Sequence, residues 1–177
     1  MNVYASLALI ALFLAVTTAR NAVWADDGRL WKDIIEKSPR KARAYNEYGL
    51  HVLDAGDLDR ALRLLGKSLE LDRYQPQIDI NIGLAYEKMN RIEKAIDAHE
   101  RAIFIQPDDP TAYYNLGVLY YQKLKDREKA LNYFLKAREL NPMEPDVHRF
   151  LGSIYREQGD LGRSAEEMAL YERLKHR

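Results

Sequence analysis

The sequence predicts an all-α solenoid of stacked helical hairpins, and three observations carry that prediction. Gly49, Gly83, Gly117 and Gly152 are spaced 34, 34 and 35 residues apart. In the same register run the small residues Ala61, Ala95, Ala130 and Ser164, then Ser68, Ala102 and Ala137. Pro39, Pro107 and Pro142 close successive units, with Arg73 in the remaining slot. A period of this length is one helix–turn–helix unit that cannot bury its own apolar face and must stack on its neighbours.

The first 25 residues stand apart from the repeats. Val3 to Ala19 carries no charge and is dominated by Leu, Ala, Ile, Val and Phe. As a helix it spans roughly 25 Å, slightly less than the ~30 Å hydrocarbon core of a bilayer. Two readings fit. In the first the segment is a membrane anchor, with Tyr4 and Trp24 at the two interfaces and Arg20 snorkelling outward. In the second it is a secretory signal, with Val23-Trp24-Ala25 as the small-residue cleavage motif. The missing basic n-region favours the anchor. Sidedness is argued both ways. Arg20, Arg29, Lys32 and Lys37 follow the apolar run, which places the repeats in the cytoplasm. Cleavage after Ala25 places them outside, and the extracytoplasmic side is expected.

Residues 26–41 read as a half-repeat. Leu30-Trp31-Lys32-Asp33-Ile34-Ile35 leads to Lys37-Ser38-Pro39, so a lone helix ends in the same proline slot as the full repeats and caps the first one. Four repeats follow, at 42–75, 76–109, 110–144 and 145–177. In each, apolar residues recur at helical spacing on both sides of a turn: Gly56-Asp57, Met89-Asn90-Arg91, Leu124-Lys125-Asp126 and Gly159-Asp160. Glycine and asparagine enter the left-handed region these turns need. The third turn has one extra residue, which accounts for the single spacing of 35. Pro76, Pro110 and Pro145 open helices at a position whose N–H has no intrahelical partner. The glycine at position eight of each repeat is expected to face the small residue at position twenty where the two helices cross.

Composition narrows the function. Lysine plus arginine and aspartate plus glutamate number 27 each, so no global basic charge points to nucleic acid. The chain has no cysteine, which removes disulfides, thiolate metal sites and a cysteine nucleophile. Gly66-Lys67-Ser68 imitates the end of a phosphate loop, but Ala61 stands where the loop needs glycine and the stretch is mid-helix. His51, His99, His148 and His176 share no metal-ligand spacing. His99 occupies a core slot of a second helix and is read as a packed, hydrogen-bonded histidine. No hydrolase or zinc-protease motif is present, and neither an enzyme nor a cofactor site is expected.

Tyr45…Gly49, Ile82-Gly83…Tyr86, Leu116-Gly117…Tyr120 and Leu151-Gly152…Tyr155, each followed by a small residue, resemble tetratricopeptide (TPR) repeats from Ala42 to the C-terminus. Departures are Arg73 for proline, Asp79 at position four of the second repeat, and Tyr171 for alanine in the fourth. A narrower likeness covers Arg20-Asn21…Trp24, Leu30-Trp31-x-Asp33 and Lys37-Ser38-Pro39. That string is similar to the last membrane helix and TPR tail of TMTC-type mannosyltransferases and their bacterial relatives. It implies a location and an ancestry without an activity.

The TPR resemblance implies a peptide-binding groove lined by first-helix positions two, five, six, nine, twelve and thirteen. Here the groove candidates are Asn46, Leu50, Leu53, Asn81, Leu84, Lys88, Tyr114, Asn115, Val118, Tyr121 and Arg149. Asn81 and Asn115 share one repeat position, and an amide can both donate to and accept from an extended peptide backbone. TPR grooves that clamp a C-terminal carboxylate need a lysine, two asparagines and two basic residues. The chain has Asn46, Leu50, Asn81, Thr111 and Asn115 there, so only the middle asparagine matches. The expected function is a non-enzymatic scaffold that holds an extended partner segment at a membrane surface. The alternatives are an accessory subunit or detached tail of a membrane glycosyltransferase, and a periplasmic assembly factor.

Overall fold

The computed structural model describes residues 27–176, and these are all helix and turn. The apolar segment and its cleavage motif lie outside the described residues. Among the described residues no helix is long and apolar enough to cross a membrane. The described residues form nine α-helices: α1 (Asp27–Lys37), α2 (Ala42–Asp54), α3 (Leu58–Leu71), α4 (Pro76–Lys88), α5 (Ile92–Ile105), α6 (Pro110–Leu119), α7 (Arg127–Leu140), α8 (Pro145–Glu157) and α9 (Leu161–Leu174). The chain divides into two compact units after Arg73. The first contains α1 and the hairpin α2/α3. The second stacks three hairpins, α4/α5, α6/α7 and α8/α9, with α5 on α6 and α7 on α8.

Local chemistry sets the helix ends. Gly56, Asn90, Lys125 and Gly159 take positive φ between the two helices of each hairpin. The next residue is the N-cap in all four, and in three of them its side chain caps the helix. The carboxylates of Asp57, Asp126 and Asp160 accept from the backbone N–H of Arg60, Lys129 and Arg163. Pro76, Pro110 and Pro145 each open the first helix of a hairpin.

The extra residue of the third repeat is not an enlarged turn. It is absorbed as a π-helical turn over Tyr120–Leu124 that extends α6. A widened turn is a common way to insert one residue without breaking a helix. Arg127 satisfies a carbonyl in it, donating from a terminal guanidinium nitrogen to the Tyr121 oxygen at 2.7 Å.

The repeat glycines seat a larger partner in addition to the small residue their spacing suggests, which in the fourth repeat is met directly, Ser164 Oγ donating to the Gly152 carbonyl at 2.8 Å. A Cβ on Gly83 would stand 2.4 Å from His99 Cε1, and one on Gly117 would stand 2.7 Å from Phe134 Cε1. Gly49 and Gly152 oppose Leu65 and Met168 in the same way. The bare helix surface therefore seats the large side chain at position twenty-four, and the small residue at position twenty is buried as well. Leu65, His99 and Phe134 are fully buried as a result. His99 Nε2 lies 2.8 Å from a Glu87 carboxylate oxygen, so the expected hydrogen-bonded core histidine is found.

A second regularity joins successive repeats. The Tyr45 hydroxyl donates to the Pro39 carbonyl at 3.2 Å and the Tyr113 hydroxyl to the Pro107 carbonyl at 3.1 Å. His148 Nε2 lies 2.9 Å from the Pro142 carbonyl. Position four thus bonds the proline slot six residues earlier. Its other nitrogen faces the buried Glu167 carboxylate at 2.6 Å, which is also bonded by Arg138. In the second repeat Asp79 has no proton to donate when ionised, and it instead accepts from Arg101 Nε at 2.9 Å.

Candidate functional site

First helices α4, α6 and α8 line one face of the second unit. Positions five, six, nine and twelve of each fall on the same side because they repeat at helical spacing. On α6 this side presents Tyr114, Asn115 and Val118, and on the π-helical turn that follows Tyr121, all half-buried. On α8 it presents Arg149 and the buried Phe150, and on α4 Leu84 is half-buried.

The face between the last two hairpins is aromatic. Phe134 and Phe150 stack at 4.7 Å with an interplanar angle of 8°. Tyr114 meets both edge-on at 6.1 Å, and Tyr121 meets Phe150 edge-on at 5.5 Å. The Arg149 guanidinium lies 4.5 Å from the Phe150 ring centre and bonds Asp146 at 2.9 Å. These contacts leave Tyr114 and Tyr121 as walls rather than free anchors.

Tyr121 is held further. Its hydroxyl donates to a Glu157 carboxylate oxygen at 2.6 Å, and the Arg127 guanidinium sits 4.2 Å over its ring while also bonding Glu157. Hydrogen bonds from Tyr121 and Arg127 hold the Glu157 carboxyl below its ordinary value. Burial first, then the bond to Glu157, pushes the Tyr121 phenol up. Tyr114 is pushed up by burial and by the Asp146 carboxylate. Both phenols are therefore neutral donors at physiological pH.

The two asparagines of the shared position differ. Asn81 is 2 % exposed, and its side-chain oxygen accepts from Gln77 Nε2 at 3.3 Å. Asn115 is half-buried, and its amide has no side-chain hydrogen bond in the structure. Residue 111, one turn before Asn115, is threonine, too short to repeat the Gln77 contact. Lys88 is exposed at the end of α4. In the first unit, Asn46 and Leu53 are buried on α2 and Leu50 is half-buried.

At the α6/α8 end of this face a cleft of about 240 Å³ opens, with Tyr114 and Val147 on its walls and Asn141, Glu144 and Asp146 on its rim. Sequence reasoning did not single out Arg127, which fixes Tyr121 from the next helix. The insertion at Lys125 was the available signal, because it places Arg127 directly after the widened turn. Among the described residues no three His, Asp or Glu side chains are placed to hold a metal ion.

Three family models match the chain, two described as tetratricopeptide repeat over residues 28–76 and 110–142 and one as TPR repeat over 88–123. The chain is a tetratricopeptide repeat protein. None of the three models describes a catalytic family, and none is a mannosyltransferase model. No relative is found among curated protein sequences.

Solved structures share the TPR fold. MamA from Desulfovibrio magneticus RS-1 (residues 41 to the end) is 22% identical with a TM-score of 0.71, over 96% of this chain and 95% of that one. Cut9–Hcn1 of the APC/C is 20% identical with a TM-score of 0.75, over 83% of this chain and 28% of that one. The first TPR domain of Spaghetti (RPAP3), bound to the HSP90 peptide SRMEEVD, is 23% identical with a TM-score of 0.63, over 67% of this chain and 94% of that one.

Proposed function

We propose that this TPR protein is a non-enzymatic scaffold whose second unit holds an extended segment of a partner protein along α4, α6 and α8. The apolar segment before residue 26 tethers it at a membrane surface. The observation that carries the reading is Asn115. Its amide stands half-exposed and unbonded in the middle of a face walled by Tyr114, Val118 and the pinned Tyr121. An amide so placed offers one donor and one acceptor to a peptide backbone, and rigid aromatic walls take side chains at low entropic cost. The solved TPR domain that holds a heptapeptide supports the mode of binding.

Asn81 now has a lesser part, because its oxygen is already used by Gln77. The test is quantitative capture of a partner recovered by cross-linking in membranes and re-made as a peptide. Asn115→Ala should weaken that peptide about tenfold, since two modest hydrogen bonds are lost. Thermal unfolding should stay where it is in the parent chain. Unchanged affinity for Asn115→Ala together with Val118→Ala refutes the groove.

A further inference from the structure

The cleft at the α6/α8 end of the peptide face carries a charge that its neighbours leave open. About 240 Å³ of space lies between the starts of α6 and α8 and the last turn of α7. Much of the lining is apolar, with buried Ala137 and Val147 beside the Tyr114 ring. Two carboxylates, Glu144 and Asp146, reach it, and no lysine, arginine or histidine lines it.

The two acids are not equivalent. Asp146 is answered by Arg149, whose Nε donates to it at 2.9 Å. Glu144 is half-buried and has neither an ion pair nor a side-chain hydrogen bond among the described residues. It holds the N-cap position of α8 without capping it, whereas Asp109 before α6 accepts from the Thr111 N–H. Helix ends do not cancel this charge. The partial positive charge at the start of α6 is met by the Asp109 cap, and that of α8 is opposed by the carbonyl end of α7. The aromatic wall feels the result. Burial first, then Asp146, pushes the Tyr114 phenol up; Arg149 opposes the rise and Glu144 adds to it.

We infer that this cleft is the subsite for a basic side chain, lysine or arginine, of the segment held along α4, α6 and α8. Charge complementarity selects the cation, because an incoming acid would be set against the unanswered Glu144. The apolar lining takes the methylene stem, and the face of an aromatic ring such as Tyr114 attracts the cationic head. A cavity of about 150 Å³ holds benzene, so this larger cleft admits either side chain. Tyr114 lines the cleft and directly precedes Asn115 in α6, so a backbone bonded at Asn115 has a side chain within reach of it. The inference rests on the peptide face of the proposed function and gives that face a preference.

The probes are N-acetyl-lysine-N-methylamide and N-acetyl-arginine-N-methylamide, with the norleucine and glutamate derivatives as controls. They are titrated into the full chain carrying labelled methyl groups, and the Ala137 and Val147 signals report on the cleft. Both basic probes should shift these signals with a millimolar Kd, while norleucine binds several-fold more weakly and glutamate leaves the signals in place. Glu144→Gln should weaken the basic probes about fivefold, the upper end for a partly exposed ion pair, without changing norleucine. Its thermal unfolding should match the parent. Norleucine binding as well as lysine, no shift with any probe, or basic probes indifferent to Glu144→Gln overturns the inference. Asn115→Ala separates it from the reading beneath: the probes should be unaffected and the re-made partner peptide weakened. Probes that fail while that peptide is weakened remove the subsite and leave the face. Probes that bind while the peptide ignores both Asn115→Ala and Val118→Ala sink the face, and with it the assignment of the cleft to a bound segment.

Discussion

Gly117→Ala and Gly66→Ala are the same chemical change, and the structure gives them opposite signs. At Gly117 an added methyl would stand 2.7, 2.8 and 2.9 Å from three carbons of the Phe134 ring. That ring cannot give way, because it is fully buried and lies flat on Phe150 at 4.7 Å. Overpacking of this kind costs about 1–3 kcal/mol, and a rigid ring puts it near the top. Alanine regains about 1 kcal/mol of helix propensity, leaving a net loss of roughly 2 kcal/mol. At Gly66, mid-way through α3, the methyl meets nothing within 4 Å. Only the propensity gain remains, so stability should rise by about 0.5–1 kcal/mol. Urea unfolding followed by circular dichroism, with an unchanged slope, measures both. In a Phe134→Leu background the Gly117→Ala cost should shrink, giving a coupling of at least ~0.5 kcal/mol. A Gly117→Ala protein as stable as the parent, or no coupling to Phe134, refutes the claim that the glycine exists to seat that ring.

The remaining predictions concern binding and charge. The peptide SRMEEVD should show no micromolar binding by calorimetry, because Leu50 and Thr111 stand where a carboxylate clamp needs polar and basic groups. Glu157→Gln should lower the urea midpoint at neutral pH by loosening Tyr121. Since the folded Glu157 carboxyl is held below its ordinary value, the stabilisation is present above that value and lost as pH falls through the lowered one. The gap between parent and variant should therefore close in acid. Glu167→Ala should cost about 1–3 kcal/mol in the same assay, because it strips buried His148 of a partner while leaving its ring desolvated.

The hairpins were legible because their signals are local. Proline at N1, a left-handed residue at the turn and a carboxylate cap each act within a few residues of chain, and Gly56, Asn90 and Gly159 adopt the conformation their residue types favour. Contacts across helices were less legible. Nothing in the 34-residue period says that position eight seats the large side chain at position twenty-four as well as meeting position twenty, since both recur with the same spacing. The third turn shows the same limit. An insertion can be counted in the sequence, but whether it widens a helix or lengthens a loop depends on Arg127 reaching back to the Tyr121 carbonyl. The paired asparagines look equivalent in the sequence because they share a position. Gln77 and Thr111, one turn earlier, make one of them spoken for and leave the other open.

The departures from the repeat pattern are as informative as the pattern. Three linkers are fastened by a position-four side chain that donates to the proline-slot carbonyl, at Pro39, Pro107 and Pro142. The fourth has Arg73 in the slot and Asp79 in place of the donor. A carboxylate cannot make that bond in its ionised form, and burial at 1 % exposure requires another partner, which Arg101 provides. The chain divides into its two compact units at this linker, between Arg73 and Tyr74. Two substitutions that look like sequence drift therefore fall together, and Asp79 replaces the linker bond by an ion pair within its own hairpin.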